Sequence, residues 1–345
     1  MVVKLKRTIL LFGVPMATRR LIAVVVLVPL LAALALWAFA WPAARTAPRD
    51  LPLGVAGPAT ATAQLEQQFA RHEGAFEIHR YADEAAARSA IENRDVYGAV
   101  VVTPEGPELL TASAASPVVA QLLRQAVTEQ ATAKGSEVKT VDVVATPASD
   151  PRGAALSSSV LPLALAGLVA GAVVTLLGLR GFRAVVALTV AAALVGVVAA
   201  ALAHSWLGAL TGNWWVEAGT LGLATLAVSA AVAGLAALVG PAGIGAVAFL
   251  VMFLGNPFSG AASAPQLLPE PVGAVGQWLP PGASATLLRS VSFFDGAAAT
   301  GPALTLTWWA VLGLGAVLLG NALKERSKTT ASASDSAEPA LTPVG

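Results

Sequence analysis

Residues 21–40 read LIAVVVLVPLLAALALWAFA, twenty positions without a charge. A helix needs about 20 apolar residues to cross the hydrocarbon core of a bilayer, so this stretch reads as a membrane span. The next comparable run begins only at Val160. It opens a series at 160–179, 184–203, 218–239 and 243–255, and a last run follows at 303–320. The run at 243–255 is short and reaches a useful length only with Pro241 and Ala242 included. One span, a long polar interval, then five spans is the pattern that decides the fold.

The rest of the composition agrees. The chain of 345 residues is 56% hydrophobic and only 12% charged, against about 25% charged in soluble domains, and its mean hydropathy is +0.72. A net charge of +1 argues against a nucleic-acid partner, whose phosphates call for clustered cations. The cations sit instead beside the spans. Lys4, Lys6, Arg7, Arg19 and Arg20 precede the first, Arg180 and Arg183 fill the turn between the second and third, and Lys324, Arg326 and Lys328 follow the last. Basic loops stay on the cytoplasmic side, which puts both termini there, agrees with an even number of spans, and leaves 41–158 outside. With no cysteine, that outer segment depends on its core alone. A basic start followed by Ala38-Phe39-Ala40 also fits a signal peptide with its cleavage site, but the run is longer than an ordinary signal core and reads better as an uncleaved anchor.

The fold expected is an α-helical integral membrane protein with six transmembrane helices and an extracytoplasmic α/β domain inserted between helices 1 and 2. Its parts are a basic amphipathic cytoplasmic segment at 1–20, helix 1 at 21–40, the outer domain at 41–158, and helices 2–5 at 159–256. An outer Pro/Gly-rich hairpin at 257–302, helix 6 at 303–322 and a disordered cytoplasmic tail at 323–345 complete it. Within the outer segment, strands are expected at 75–81 and 138–145 from alternating residues, at 51–56 and 96–103 as short apolar runs ending at Gly57-Pro58 and Pro104, and at 109–111 as a partner of 96–103. Helices are expected at 61–73, at 83–93 with Asp83 as cap, and at 116–134 with Pro117 in the first turn. Gly167 and Gly171 form a small-xxx-small pair in the second span, and Trp206, Trp214 and Trp215 mark an outer aromatic belt. The segment 256–302 is too apolar for a plain surface loop and reads as a hairpin dipping into the outer face.

Catalytic patterns are absent. There is no phosphate-binding G-x-x-x-x-G-K-[ST] and no paired histidine motif, so neither a catalytic, a cofactor-binding nor a metal site is expected, and the chain reads as no enzyme. His72 and His79 read as surface residues. His204 and Glu217 read as interfacial groups at the ends of their spans rather than as a proton relay. In the hairpin, Arg289 reads as a headgroup contact, with a gate-closing ion pair to Asp295 as the functional alternative.

Two stretches carry a likeness. Asp83–Arg88 leads through Ile91-Glu92-Asn93-Arg94-Asp95-Val96-Tyr97-Gly98 to a strand that stops at Pro104. Asn256-Pro257-Phe258-Ser259-Gly260 is followed by Leu268-Pro269 and Leu279-Pro280-Pro281-Gly282. With the one-plus-five layout, these resemble the permease subunits of type-two ABC exporters, in particular the phage-infection-protein-like branch. The resemblance implies a homodimeric permease in the cell membrane that moves a hydrophobic or amphipathic substrate outward, with ATP hydrolysed by a separate cytoplasmic subunit. It implies docking of that ATPase on residues 4–20 and on Arg180, Gly181, Phe182 and Arg183. The hairpin, with Asn256, Pro257, Arg289 and Asp295, would form the outer gate. The alternative from another class is a non-transporting membrane scaffold whose outer domain binds an envelope component or protein.

Overall fold

The computed structural model describes residues 16–335 apart from 72, 134 and 136, so most of the basic segment 1–20, His72 and the last ten residues lie outside the described part. The chain divides after Arg45. The first unit is a single helix, α1 (Met16–Ala44), with Pro29 and Pro42 inside it. At roughly 1.5 Å per residue it is long enough for a bilayer core of about 30 Å. Most of its large apolar side chains are exposed, although Ala38 is buried, and Trp37 and Trp41 stack at 5.4 Å near its end.

The second unit begins with a small mixed sheet. Its strands are β1 (Leu51–Ala56), β2 (Phe76–Tyr81), β3 (Gly98–Thr103), β4 (Gly106–Thr111) and β5 (Lys139–Asp142), in the order β2-β1-β3-β4-β5. β1 lies parallel to β2 and β3, β3 and β4 form an antiparallel hairpin, and β5 runs parallel to β4. Helices α2 (Ala59–Phe69) and α4 (Pro117–Ala133) cover one face, where Leu51, Leu53, Val100, Leu109 and Leu123 are buried. On the other face α3 (Glu84–Glu92) packs Ala87 and Ile91 against Ala99, Val101 and Leu110. Asp83 caps α3, accepting a hydrogen bond from Ala86 N at 2.8 Å. Alternating apolar residues place one set on each face of a strand, which is why these elements fall within a few residues of their expected bounds.

The remaining helices are α5 (Ala154–Leu176), α6 (Gly181–Ala200), α7 (Trp214–Val239), α8 (Ala242–Phe249), α9 (Val272–Gln277), α10 (Pro280–Phe293) and α11 (Thr300–Asp335). A π-helical turn, Ala201–Trp206, extends α6, and another, Leu250–Gly255, extends α8. Five helices are long and apolar enough to cross a membrane: α1, α5, α6 with its π turn, α7 and α11. The sixth run, Ala242–Gly255, falls short of that length among the described residues. At about 1.5 Å per residue it extends roughly 20 Å. The reason is local. Gly240 takes a φ of 81° and Pro241 starts a new helix. α8 then turns back onto α7 so closely that a Cβ on Gly243 would lie 2.6 Å from Ala236 N. α11 also runs on through the Ser/Thr/Ala-rich stretch to Asp335, where a disordered tail was expected from 323.

α7 is the central helix. Of its most apolar window 67% is buried, against 33%, 22% and 28% for α5, α6 and α11. Its neighbours approach at glycines, where a Cβ would collide with backbone or Cβ atoms. Gly167 and Gly171 of α5 meet Val228 and Val232, Gly196 of α6 meets Ala218, and Gly313 and Gly320 of α11 meet Ala230 and Ala237. The pairings fix direction. Residue numbers rise together for α5 with α7 and for α11 with α7, so these pairs run parallel, while α6 runs antiparallel. The segment 240–299 therefore carries the chain from the end of α7 back to the start of α11. On the way it forms α9 and α10, and residues on either side of them pack on the sheet. Ala264 and Leu267 join one sheet core and Phe294 the other.

A side chain at Gly313 has nowhere to go, since its Cβ would lie 2.4 Å from Ala230 C, whereas Gly315 has nothing within 4 Å. Gly313→Val is expected to destabilise the bundle by about 1–3 kcal/mol through overpacking, and Gly315→Val to stay within about 0.5 kcal/mol of the parent. Thermal unfolding in mild detergent would measure both, and equal shifts would count against backbone-close packing of α7 and α11.

Candidate functional site

At one end of the bundle the α5–α6 turn lies beside the last part of α11. Gly178 and Gly181 take φ values of 71° and 52°, which lets the chain reverse in four residues. A Cβ on Gly181 would sit 3.2 Å from Asn321 Nδ2, so the turn is seated on α11. The expected docking residues Arg180, Gly181, Phe182 and Arg183 thus share one place. Gly181 is buried, Arg180 and Arg183 are exposed, and the Phe182 ring is 75% exposed. A cavity of about 210 Å³ separates the turn from Gly240, Pro241, Asn321 and Lys324. An exposed aromatic ring between two arginines is a feature that a folded partner can grip, since such side chains are enriched at interfaces.

The four hairpin residues do not come together as a gate. Asn256 follows the π turn, half-buried, and its carbonyl accepts from Ser259 Oγ at 2.7 Å. Pro257 is half-buried beside it. Arg289 is only 6% exposed, and its Nη2 donates to Ala261 O. Asp295 is exposed, in a left-handed turn with φ 50° beyond the end of α10. Among the described residues Arg289 and Asp295 form no ion pair. Six positions along a helix do not share a face, in contrast to three or four, and Asp295 has already left the helix. Burial of Arg289 also removes the headgroup contact expected of it.

What gathers around Arg289 instead is a polar cluster between the sheet and α10. Arg94, in the loop before β3 with φ 64°, donates from Nη1 to Thr286 O at 3.1 Å and Ser290 Oγ at 2.5 Å. Its guanidinium lies 5.2 Å from the Phe294 ring centre. The Tyr97 hydroxyl donates to Gln266 Oε1 at 2.8 Å, and Thr286 Oγ1 donates to Gln277 Oε1 at 2.6 Å. Burial pushes the Tyr97 phenol up and the Arg94 guanidinium down. Burial also takes Arg289 down to about 10, with Tyr97 opposing and the Arg94 charge adding to the fall. The residues from Arg94 to Tyr97 stand in one of the two stretches singled out in the sequence, but their partners lie 169 to 196 positions further on.

A second pairing escaped the sequence. His204 Nδ1 lies 2.7 Å from Glu217 Oε2, and Gly212 N donates to Glu217 Oε1 at 2.8 Å. Glu217 is fully buried, in the first turn of α7. The π turn Ala201–Trp206 and the Asn213 cap, which accepts from Trp215 N and Val216 N, fold the α6–α7 link so that both groups meet. Trp214 Nε1 donates to Ser205 Oγ at 3.1 Å across the same link.

Two apolar cavities open between the long helices. One of about 560 Å³ lies between α5 and α6, lined by Leu156, Pro162, Leu163, Val198 and Leu202. Another of about 570 Å³ lies between α7, α8 and α11, lined by Leu235, Leu254, Trp308 and Leu312. Neither is lined by a charged side chain. Among the described residues no three His, Asp or Glu side chains gather as metal ligands.

Compared with known proteins, residues 19–176 match the family described as ABC-2 family transporter protein. The matched stretch runs from the start of α1 through the sheet to the last residue of α5. The match covers a little under half of the chain's length. No curated protein and no solved structure matches the chain.

Glu217→Leu would strand the Gly212 N–H and the His204 ring, and leaving buried polar groups unmet costs about 1–3 kcal/mol. Glu217→Gln keeps an acceptor in place and is expected to cost less. Melting temperatures of the two variants against the parent would measure this, and a parent-like Glu217→Leu would remove the pair from what holds the α6–α7 link.

Proposed function

We propose that this chain, matched from α1 through α5 by the ABC-2 transporter family, is the membrane-spanning permease subunit of an ABC-type exporter. It moves a hydrophobic or amphipathic substrate outward, while a separate cytoplasmic ATPase hydrolyses ATP and the chain itself catalyses no reaction. The family match carries the reading. Two apolar cavities of more than 500 Å³ that meet the lipid side of the bundle support it, because acyl chains and apolar rings need uncharged walls. The Arg180–Arg183 turn with its exposed Phe182 supports the ATPase contact.

Six crossings belong to the same proposal. α5, α7 and α11 run parallel, so a chain that leaves the end of α7 must recross before α11 begins. Ala242–Gly255 is the apolar segment available for that return, made possible by the hairpin that meets it from the other side. With the basic turn and the Lys324–Arg326 end inside, both termini are cytoplasmic and residues 41–158 lie outside the cell membrane. Two copies would then form the permease, as a homodimer. The scaffold alternative shares this topology but needs neither an ATPase nor the apolar cavities.

The chain has no cysteine, so single cysteines report topology without background. A cysteine at Phe182 is expected to react with a membrane-impermeant maleimide only after the cells are opened, and one at Thr128 in intact cells. The reverse pattern would overturn the orientation. A tagged parent in mild detergent is expected to retain an ATPase, and Phe182→Asp with Arg183→Glu to reduce the amount retained about tenfold, the equivalent of roughly 1.4 kcal/mol. A parent that retains no ATPase would shift the reading to the scaffold.

A further inference from the structure

The cluster between the α3–β3 loop and α10 has an electrostatic imbalance. It encloses a cavity of about 250 Å³ lined by Arg94, Tyr97, Gln266, Gln277, Thr286 and Arg289. Two guanidiniums line it, and among the described residues no carboxylate pairs with either. Buried arginines ordinarily meet an acid, because removing a charge from water is costly unless a counter-charge and hydrogen bonds replace the hydration. Here the nearest acid on the wall is Asp95. Its side chain is exposed, and its charge acts on Tyr81, whose phenol is raised first by burial and then by Asp95.

The donors are left over as well. A guanidinium has five N–H groups. Among the described residues Arg289 uses one position, Nη2, on Ala261 O, although the side chain is only 6% exposed. Arg94 spends Nη1 on Thr286 and Ser290, which leaves Nε and Nη2 open among the described residues. Gln266 accepts from Tyr97 with its oxygen, so its amide N–H₂ also remains. Among the described residues the Gln266 and Gln277 side-chain oxygens are already engaged and the Asp95 carboxylate stands at the exposed rim, while N–H donors of the two cations remain. The space is well beyond that of a single water, and it reaches the surface where Asp95 and Ala298, both exposed, form its rim.

We infer that the cavity between the sheet and α10 binds a phosphate group, held by Arg289 and Arg94 with the Gln266 amide. Guanidinium forks match the geometry of phosphate oxygens and bind them with charge-assisted hydrogen bonds. One anion would balance the mutual repulsion of the two arginines and fill their open donors at once. The group can come from free phosphate or from a phospholipid headgroup, since both present the same oxygens. The inference concerns binding only and does not depend on transport.

The test uses the full chain in mild detergent, stripped of lipid, with thermal unfolding as the readout at constant ionic strength. A ligand that binds only the folded state raises the melting temperature with a saturating concentration dependence. Inorganic phosphate is expected to do so where chloride and acetate do not, which would assign a free anion. If mixed micelles containing phosphatidylglycerol stabilise and inorganic phosphate does not, the headgroup is the source. In either case the response is expected to vanish in Arg289→Gln. Should that variant fail to fold, Arg289→Lys keeps the charge without the fork and is expected to shift the midpoint about tenfold higher, the worth of one charged hydrogen bond. The inference is overturned if neither phosphate source exceeds chloride in the parent, or if the arginine variants respond as the parent does.

Discussion

Backbone-close packing around α7 governs the rest of this structure. In lipid, helices gain nothing from hiding apolar side chains, because the tails around them are just as apolar. Association must come from close van der Waals contact and from interhelical hydrogen bonds, which is why small residues collect at such interfaces. Around α7 the contacts fall at Gly167, Gly171, Gly196, Gly234, Gly313 and Gly320, with a Cβ excluded at each. These contacts also set direction. Because α5 and α11 both run parallel to α7, the chain has to return between Gly240 and Thr300, and that return produces the hairpin. The hairpin is in turn closed by the same device: a Cβ on Gly276 would fall 1.7 Å from Phe258 O.

The sheet depends on that hairpin rather than standing apart from it. Both of its faces take residues from the return segment, Ala264 and Leu267 on one and Phe294 on the other. Backbone hydrogen bonds from Ala47 N to Leu267 O and from Arg49 N to Gln266 O hold the strand entry to the same loop. Arg94 reaches from the sheet side to Thr286 and Ser290 of α10. Placing a polar cluster at this junction has a physical logic. Apolar packing is non-directional, whereas a guanidinium that donates to a specific carbonyl and hydroxyl fixes how one layer sits on the other.

Much of this could be read in the sequence where the signal is local. Period-two alternation marked β2 and β5, short apolar runs bounded by Pro or Gly marked β1 and β3, and Asp83 three residues before Ala86 marked the α3 cap. The long apolar runs gave α1, α5, α6, α7 and α11. What could not be read is what depends on distant residues. Glu217 and His204 stand thirteen apart on either side of a link whose π turn has no clear sequence signature, so each looked like a separate interfacial group. Arg289 looked like a surface cation because nothing near it in the chain reveals that Ala261 and the sheet close over it. The short α8 was visible as a short run, but its cause, a helix folded back on Leu235 and Ala236, is a tertiary contact. The tail failed for a related reason. Ser, Thr and Ala near the end suggested loss of order, yet helix propensity is a weak prior when a long preceding helix already supplies the nucleus, and α11 continues to Asp335.

The same packing constrains how such a molecule can move. Where two backbones touch with no side chain between them, sliding one helix along the other would drive Cα and carbonyl atoms into contact within an ångström or so, since packed interiors hold no spare volume. Gly171 against Ser229 O and Gly313 against Ala230 C leave no such slack. A force applied at the Arg180–Arg183 turn is seated on α11 through Asn321 and reaches α7 through Gly313 and Gly320, so α5, α7 and α11 respond together. α6 and α8 are held to α7 in the same way, at Gly196 against Ala218 O and at Gly243 against Ala236 N, so the looser contacts are those that do not involve α7: α6 with α5 across the 560 Å³ cavity, and α8 with α11 across the 570 Å³ one.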